Sequence, residues 1–198
     1  MPFDMFLALA AFATATAVTP GPNNIMVTAS GVNFGFTRTM PHILGITFGF
    51  FALILGCAAG LGAIFSAYPP LQIVLKVAGA VYMLWLAWKV ATSAPASAEA
   101  DELAQPISFW QAALFQWVNP KAVVVALSAV AIYVRPAHWR VDIVVLLAVF
   151  TITTVLAVAS WTGFGVALRR VLTEPKRARI FNIAMALLLV ASIVPMVI

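Results

Sequence analysis

Continuous apolar runs at residues 3–18, 43–67, 71–91, 109–134, 143–168 and 180–198 dominate this 198-residue chain. Each is near or above the ~20 residues that carry a helix across a bilayer. Only 9% of the residues are charged and 64% are hydrophobic, whereas a soluble domain carries about 25% charged residues. A water-facing surface cannot be assembled from that composition. The runs are rich in Ala, Leu, Val and Phe and do not alternate as barrel strands do, so helices must satisfy the backbone. The sequence therefore predicts an all-α integral membrane protein of six transmembrane helices, forming one membrane transporter domain over residues 1–198. Ala13, Ala15 and Ala17 offer a small-residue cleavage pattern, but the preceding segment has Asp4 and no basic n-region, so it is expected to be retained rather than removed as a signal peptide. The single cysteine, Cys57, lies in an apolar run, permits no intramolecular disulfide and reads as a small core residue.

The +5 net charge is unevenly placed. Arg38, Lys89, Arg169, Arg170, Lys176, Arg177 and Arg179 fall on one side of the predicted membrane. Arg135 and Arg140 fall on the other, with Lys76 close enough to snorkel toward it. Short loops rich in Lys and Arg stay cytoplasmic, so both termini are expected outside the cytoplasm of a bacterial inner-membrane protein. The 169–179 cluster serves topology, with anionic headgroups as the alternative partner, and needs no nucleic acid. Tyr82, Trp85, Trp88 and Trp110 mark an interfacial belt. Between them the Ala-, Ser- and acid-rich stretch suggests a flexible linker over residues 96–107.

PNNIMVTAS at 22–30 pairs with PKAVVVALS at 120–128, and GLGAIF from Gly60 pairs with GFGVAL from Gly163. These matches divide the chain into a repeat over 1–95 and a second over 108–198. With three helices in each, the repeats must be inverted, as in secondary transporters that bind substrate at the repeat interface. Pro22 and Pro120 fall inside the first helix of each half, where proline removes a donor and clashes with the preceding turn. Helices 1 and 4 are therefore expected to be broken, the first within 19–24. Open backbone at membrane depth is tolerated where protein or a water-filled cavity satisfies it. In helix 2, Gly45, Gly49, Ala52, Gly56, Gly60 and Ala63 form a small-residue stripe expected to be one smooth packing seam, within the chain or between subunits of a homo-oligomer.

Asp4, Asp142 and Glu174 flank helices, and Glu99, Asp101 and Glu102 lie in the linker, so no carboxylate relay is expected at membrane depth. HExxH, GxSxG and GxxxxGK[ST] motifs are absent, which argues against an enzyme, an ATPase engine, a metal site or a cofactor. Lys121 is placed near mid-membrane, where a cation is costly and marks a functional site unless it snorkels to the cytoplasmic interface. It can meet backbone carbonyls, water or an anionic ligand, or give up its proton. Asn23, Asn24 and Asn119 offer donors and acceptors beside the breaks, for a ligand or for local capping of the broken helix ends. His42, at the start of helix 2, is a second proton-coupling candidate beside Lys121. An uncoupled channel or facilitator for a small polar solute would use the same residues.

At TPGPNNIMV (19–27), SGVNFGF (30–36), PHILGITFGF (41–50), AGAVYMLWLAWKVATS (78–93) and PISFWQAALFQWVNPKA (106–122), the chain resembles the LysE-type amino-acid exporter family, in its homoserine/threonine-exporter branch. Within that branch, LAWKVATS and PISFWQ look most like exporters of cysteine and O-acetylserine. The resemblance implies proton-driven efflux of small neutral amino acids from the cytoplasm. The half-helix N-termini after Pro22 and Pro120 would receive the substrate carboxylate. Pro20, Gly21, Pro22, Asn23, Asn24, Asn119, Pro120 and Lys121 are the substrate-binding candidates.

Overall fold

A computed structural model describes residues 1–93 and 105–194. Most of the predicted linker, residues 96–104, and the end of the sixth apolar run, 195–198, lie outside the described residues. Within them all regular structure is helical: α1 (Phe3–Val18), α2 (Pro22–Gly56), a π-helical turn (Cys57–Leu61), α3 (Gly62–Ala67), α4 (Pro69–Ala91), α5 (Phe109–Val118), α6 (Pro120–Tyr133), a 3-10 turn (Pro136–His138), α7 (Trp139–Arg169) and α8 (Pro175–Ala191). Three segments, Pro22–Ile64, Ile73–Ala91 and Pro136–Arg169, are long and apolar enough to cross a bilayer, and α5 with α6 make a fourth if that bent pair counts as one span. At 16 residues α1 is shorter than a span, and the 17 residues of α8 begin with the charged turn Pro-Lys-Arg-Ala-Arg.

Both proline motifs break their helices, and by the same local rule. The residue before a proline is pushed out of the helical region. Gly21 is extended at φ −170°, ψ 178°, and Asn119 at φ −81°, ψ 110°. Each proline then opens the next helix, where its missing N–H removes no bond and its fixed φ suits the first turn. The α5–α6 axis bends by 67° at Asn119. The second pair of repeat glycines does not share a conformation: Gly60 is at φ 110° in the π turn, whereas Gly163 lies inside α7.

Within α2 the chain turns again at Gly35, whose φ of 79° and ψ of 177° lie in a region open essentially to glycine. This kink joins two helices, residues 22–34 and 36–56. The Thr39 hydroxyl donates to Gly35 O at 2.7 Å and lies 2.9 Å from Ser30 Oγ, so local hydroxyls bind the turn that glycine permits.

Packing sets two apolar clusters, one on either side of the breaks along the chain. One gathers Met26, Ile46, Met83, Leu86, Phe115 and Leu189 from α2, α4, α5 and α8. The other gathers Leu9, Phe50, Tyr133, Leu146 and Phe150 from α1, α2, α6 and α7. Between α2 and α7 the approach is glycine-tight: a Cβ on Gly31 would strike Thr162 O, and one on Gly165 would strike Thr28 O. The helix 2 stripe is only in part the smooth seam expected of it. Gly45 and Gly49 abut the α5 backbone at Phe109 and Ala113, and Gly56 abuts Trp117 and Leu61. Ala52 and Ala63 are exposed, and a Cβ on Gly60, within the π turn, would meet nothing within 4 Å. Outside, large apolar side chains such as Trp88 and Trp110, each 70% exposed, face the surroundings, while Gln116, Asp142 and Asn182 are wholly buried. Apolar outside and polar inside is the arrangement a bilayer solvent selects.

Candidate functional site

The two breaks open onto one cavity. Its volume is about 70 Å³, where about 10–15 Å³ suffices for one water. Gly21, Pro22, Asn23, Asn24, Asn119 and Lys121 of the sequence candidates line it; Pro20, Pro120 and His42 are not among its lining residues. His42 is fully buried, and neither ring nitrogen has a hydrogen-bond partner among the described residues.

Lys121 follows Pro120 on the first turn of α6 and reaches back across the other break. Its Nζ donates to Thr19 O at 2.7 Å. A Cβ on Gly21 would lie 3.1 Å from its Cδ and 3.2 Å from its Nζ. Gly21 is extended, so what glycine supplies here is room for the lysine rather than an unusual φ. Three carbonyls at the C-terminal end of α1, where the helix leaves its last carbonyls without internal partners, are met by side chains. Asn24 Nδ2 donates to Ala17 O at 2.9 Å and Thr19 O at 3.1 Å, and Trp161 Nε1 donates to Val18 O at 3.3 Å. Lys121 adds a cation where the helix dipole is negative. By contrast, α2 and α6 have no side-chain N-cap, leaving first-turn N–H groups beside the cavity where an anion is favoured.

Asn23 and Gln116 exchange amide hydrogen bonds of 2.8 and 3.2 Å, tying α2 to α5, and Gln116 Nε2 also donates to Ala112 O at 2.9 Å. Gln116 escaped the sequence reading; its signal was a polar residue inside an apolar run, five before Lys121. Thr16 and Thr154 add hydroxyls. Ile46, Phe50, Val125 and Phe150 supply apolar walls, and behind them Phe150 contacts Phe12 at 6.3 Å and Phe50 at 5.5 Å between ring centroids. Lys121 is the one ionisable side chain among the described residues that line the cavity.

Two further polar contacts lie apart from it. Asn33 and Asn182 exchange bonds of 2.9 and 3.1 Å, joining α2 to α8, and Asn182 also donates to Ser93 O at 3.0 Å. Asp142, expected to flank its helix, instead lies in the first turn of α7 and is buried, held by Arg135 through Nε at 2.8 Å, Nη2 at 2.9 Å and its backbone N–H at 3.1 Å. That side-chain hydrogen bond raises the Arg135 pKa. No group of three or more metal-ligating side chains occurs among the described residues.

A helical chain with apolar exterior, buried amides and a lysine-bearing cavity between two broken helices has the construction of a membrane translocator. The sequence matches the LysE type translocator family over residues 14–194, and the chain belongs to that family. It is 36% identical over 180 residues, 88% of either chain, to the cysteine/O-acetylserine efflux protein of Escherichia coli K12. It matches the protein of that name from Shigella flexneri to the same extent, and the one from Escherichia coli O1:K1 at 35%. No solved structure matches the chain.

Proposed function

We propose that this protein exports small neutral amino acids or their derivatives, of the cysteine and O-acetylserine kind, from the bacterial cytoplasm across the inner membrane, driven by the proton gradient. The observation that carries the reading is Lys121: one cation, its ammonium on the α1 carbonyl end, in a cavity otherwise lined by amides, hydroxyls and apolar groups. A free amino acid presents a carboxylate that this ammonium and the uncapped N–H groups of α2 and α6 can receive. A second positive charge on the ligand would meet no carboxylate there, which disfavours lysine and arginine. The relatives' named activity supports the same substrate class.

The breaks and the kink support the six-span, inverted-repeat reading. Counting α1 with residues 22–34 as one broken span, residues 36–64 as the second, α4 as the third, α5 with α6 as the fourth, α7 as the fifth and α8 with the chain beyond it as the sixth gives three per half. Loop charge then puts the 169–179 cluster in the cytoplasm and both termini outside. The aromatic contacts of Phe12, Phe50, Tyr133 and Phe150 favour a carrier over an open channel, because they place an apolar barrier against one wall of the cavity.

Lys121 would bind the carboxylate and, on its departure, release a proton; His42 is the rival for the proton step. Cells preloaded with labelled cysteine should lose uphill export on collapse of the gradient by a protonophore. Lys121→Met should abolish uphill export in folded protein, and Lys121→Arg should retain binding without coupling, since arginine does not deprotonate. Export by Lys121→Arg against a gradient with ordinary pH dependence, alongside its loss in His42→Gln, would transfer the coupling role to His42.

A further inference from the structure

An amino acid in this cavity brings two charges, and Lys121 accounts for one. The other end needs acceptors. Asn119 occupies the N-cap position of α6, where an asparagine ordinarily accepts from its own helix's first-turn N–H groups, yet it makes no such bond. Its Oδ1 is buried and has no hydrogen-bond partner among the described residues, although Asn119 is only 2% exposed and lines the cavity. A buried acceptor left open beside a cavity is a place for a donor. The second acceptor is Thr19 O, now occupied by the Lys121 ammonium at 2.7 Å.

We propose that Asn119 Oδ1 and Thr19 O form the ammonium subsite of the transporter, and that the substrate enters by inserting between Lys121 and Thr19. This rests on the reading of the cavity as an amino-acid site. On insertion the carboxylate takes the Lys121 ammonium, and the substrate's own ammonium replaces it on Thr19 O while donating to Asn119 Oδ1. No charge is left without a partner, and the negative end of the α1 dipole exchanges one cation for another. The order along the site is fixed as well: the substrate ammonium cannot lie against Lys121 unless the carboxylate stands between them. Both acceptors are backbone or amide oxygens rather than carboxylates, so the subsite holds one ammonium without attracting a second. The side chain is left to the wall of Ile46, Phe50 and Phe150, which suits a short thiol or ester.

The test uses the full chain in proteoliposomes, with L-cysteine and 3-mercaptopropionate, the same molecule without its amine, competing for labelled L-cysteine exchange. Wild type should prefer cysteine by about tenfold or more, the scale of one hydrogen bond to a charged group. In Asn119→Ala that preference should collapse through weaker cysteine binding, with 3-mercaptopropionate unchanged. Parallel weakening of both ligands, or an undiminished preference, would overturn the subsite. Asn119→Asp keeps the size and adds charge: it should retain cysteine and reject 3-mercaptopropionate at least as strongly as wild type, and it decides the matter where the alanine variant does not fold. Asn119→Asp accepting 3-mercaptopropionate as readily as cysteine would equally overturn it. Wild type exchanging no cysteine would instead refute the amino-acid reading, and the subsite with it.

Discussion

Gly49→Ala adds one methyl group to α2 at the place where α5 leaves least room for it. The new Cβ would lie 2.6 Å from both Cα and O of Ala113, whereas carbon atoms rest about 3.5–4.0 Å apart. Both obstructing atoms are backbone, so no rotamer change relieves the contact and α5 must move by about 1 Å. Three residues further along α5, Gln116 holds Asn23 at 2.8 Å. A shift of about 1 Å stretches that bond beyond hydrogen-bonding range. Overpacking of this kind costs about 1–3 kcal/mol, roughly a tenfold to hundredfold loss in the folded ratio. Thermal unfolding of purified protein in detergent, paired with cysteine exchange in proteoliposomes, measures both consequences. Gly163→Ala is the control, because its added Cβ meets nothing within 4 Å. An unfolding midpoint for Gly49→Ala equal to wild type, with exchange intact, would refute the argument from close approach. Gly49→Leu should be worse in folded yield, and a folded Gly49→Leu with altered substrate preference would move this face into the binding site.

Three further outcomes are expected. In a Cys57→Ser background, a cysteine at Lys176 should escape an impermeant thiol reagent in intact cells, and labelling from outside would reverse the topology. Asn182→Leu leaves the Asn33 amide buried without its partner and should cost about 1–3 kcal/mol, while adding Asn33→Leu should recover much of that; equal single and double losses in melting would show the amide pair to be incidental. Arg135→Gln removes the guanidinium from the buried Asp142 carboxylate, leaving it the backbone N–H of residue 135 and the N-terminal ammonium at 3.8 Å, and should lower folded yield, and Asp142→Asn in the same background should restore it; an unchanged yield for Arg135→Gln alone would show that the carboxylate does not depend on the guanidinium.

The helix breaks were legible because proline acts locally. Gly21-Pro22 and Asn119-Pro120 obey the pre-proline rule whatever surrounds them, so a motif of a few residues sufficed. Lys121 stood out for a different reason, since a cation inside an apolar run is costly, and the structure places it on the cavity. What local chemistry could not tell was which oxygen the lysine would reach: Thr19 lies 102 positions away and meets Lys121 only because α1 and α6 pack against each other and against α7. Gln116, Asn33 and Asn182 were hidden for the same reason. A single amide in an apolar helix is mute until its partner is known, and each of these partners lies on another helix. Beyond Gly56 the helix 2 stripe misled because spacing assumes an unbroken helix, and the π turn at Cys57–Leu61 takes Gly60 and Ala63 out of register, whereas Ala52, ahead of the turn, is exposed on the regular helix.

The amide pairs explain why the cavity persists between two apolar clusters that would otherwise close on it. Residues 22–34 form a rod between two non-helical joints, 19–21 and Gly35. Glycine contacts press this rod against α7, Asn23 binds it to α5 at one end, and Asn33 binds it to α8 at the other. The rod is thus held from three sides, and the α2 N-terminus it carries is kept at the cavity. Unlike it, α1 buries only Leu9 and Ala13, and its cavity end is held by three side chains, Asn24, Trp161 and Lys121. Of these, Lys121 alone carries a charge that a substrate carboxylate can draw away. On the proposed reading, substrate arrival would act on α1, which buries the fewest residues of the helices at the cavity, through the cation that donates to Thr19 O.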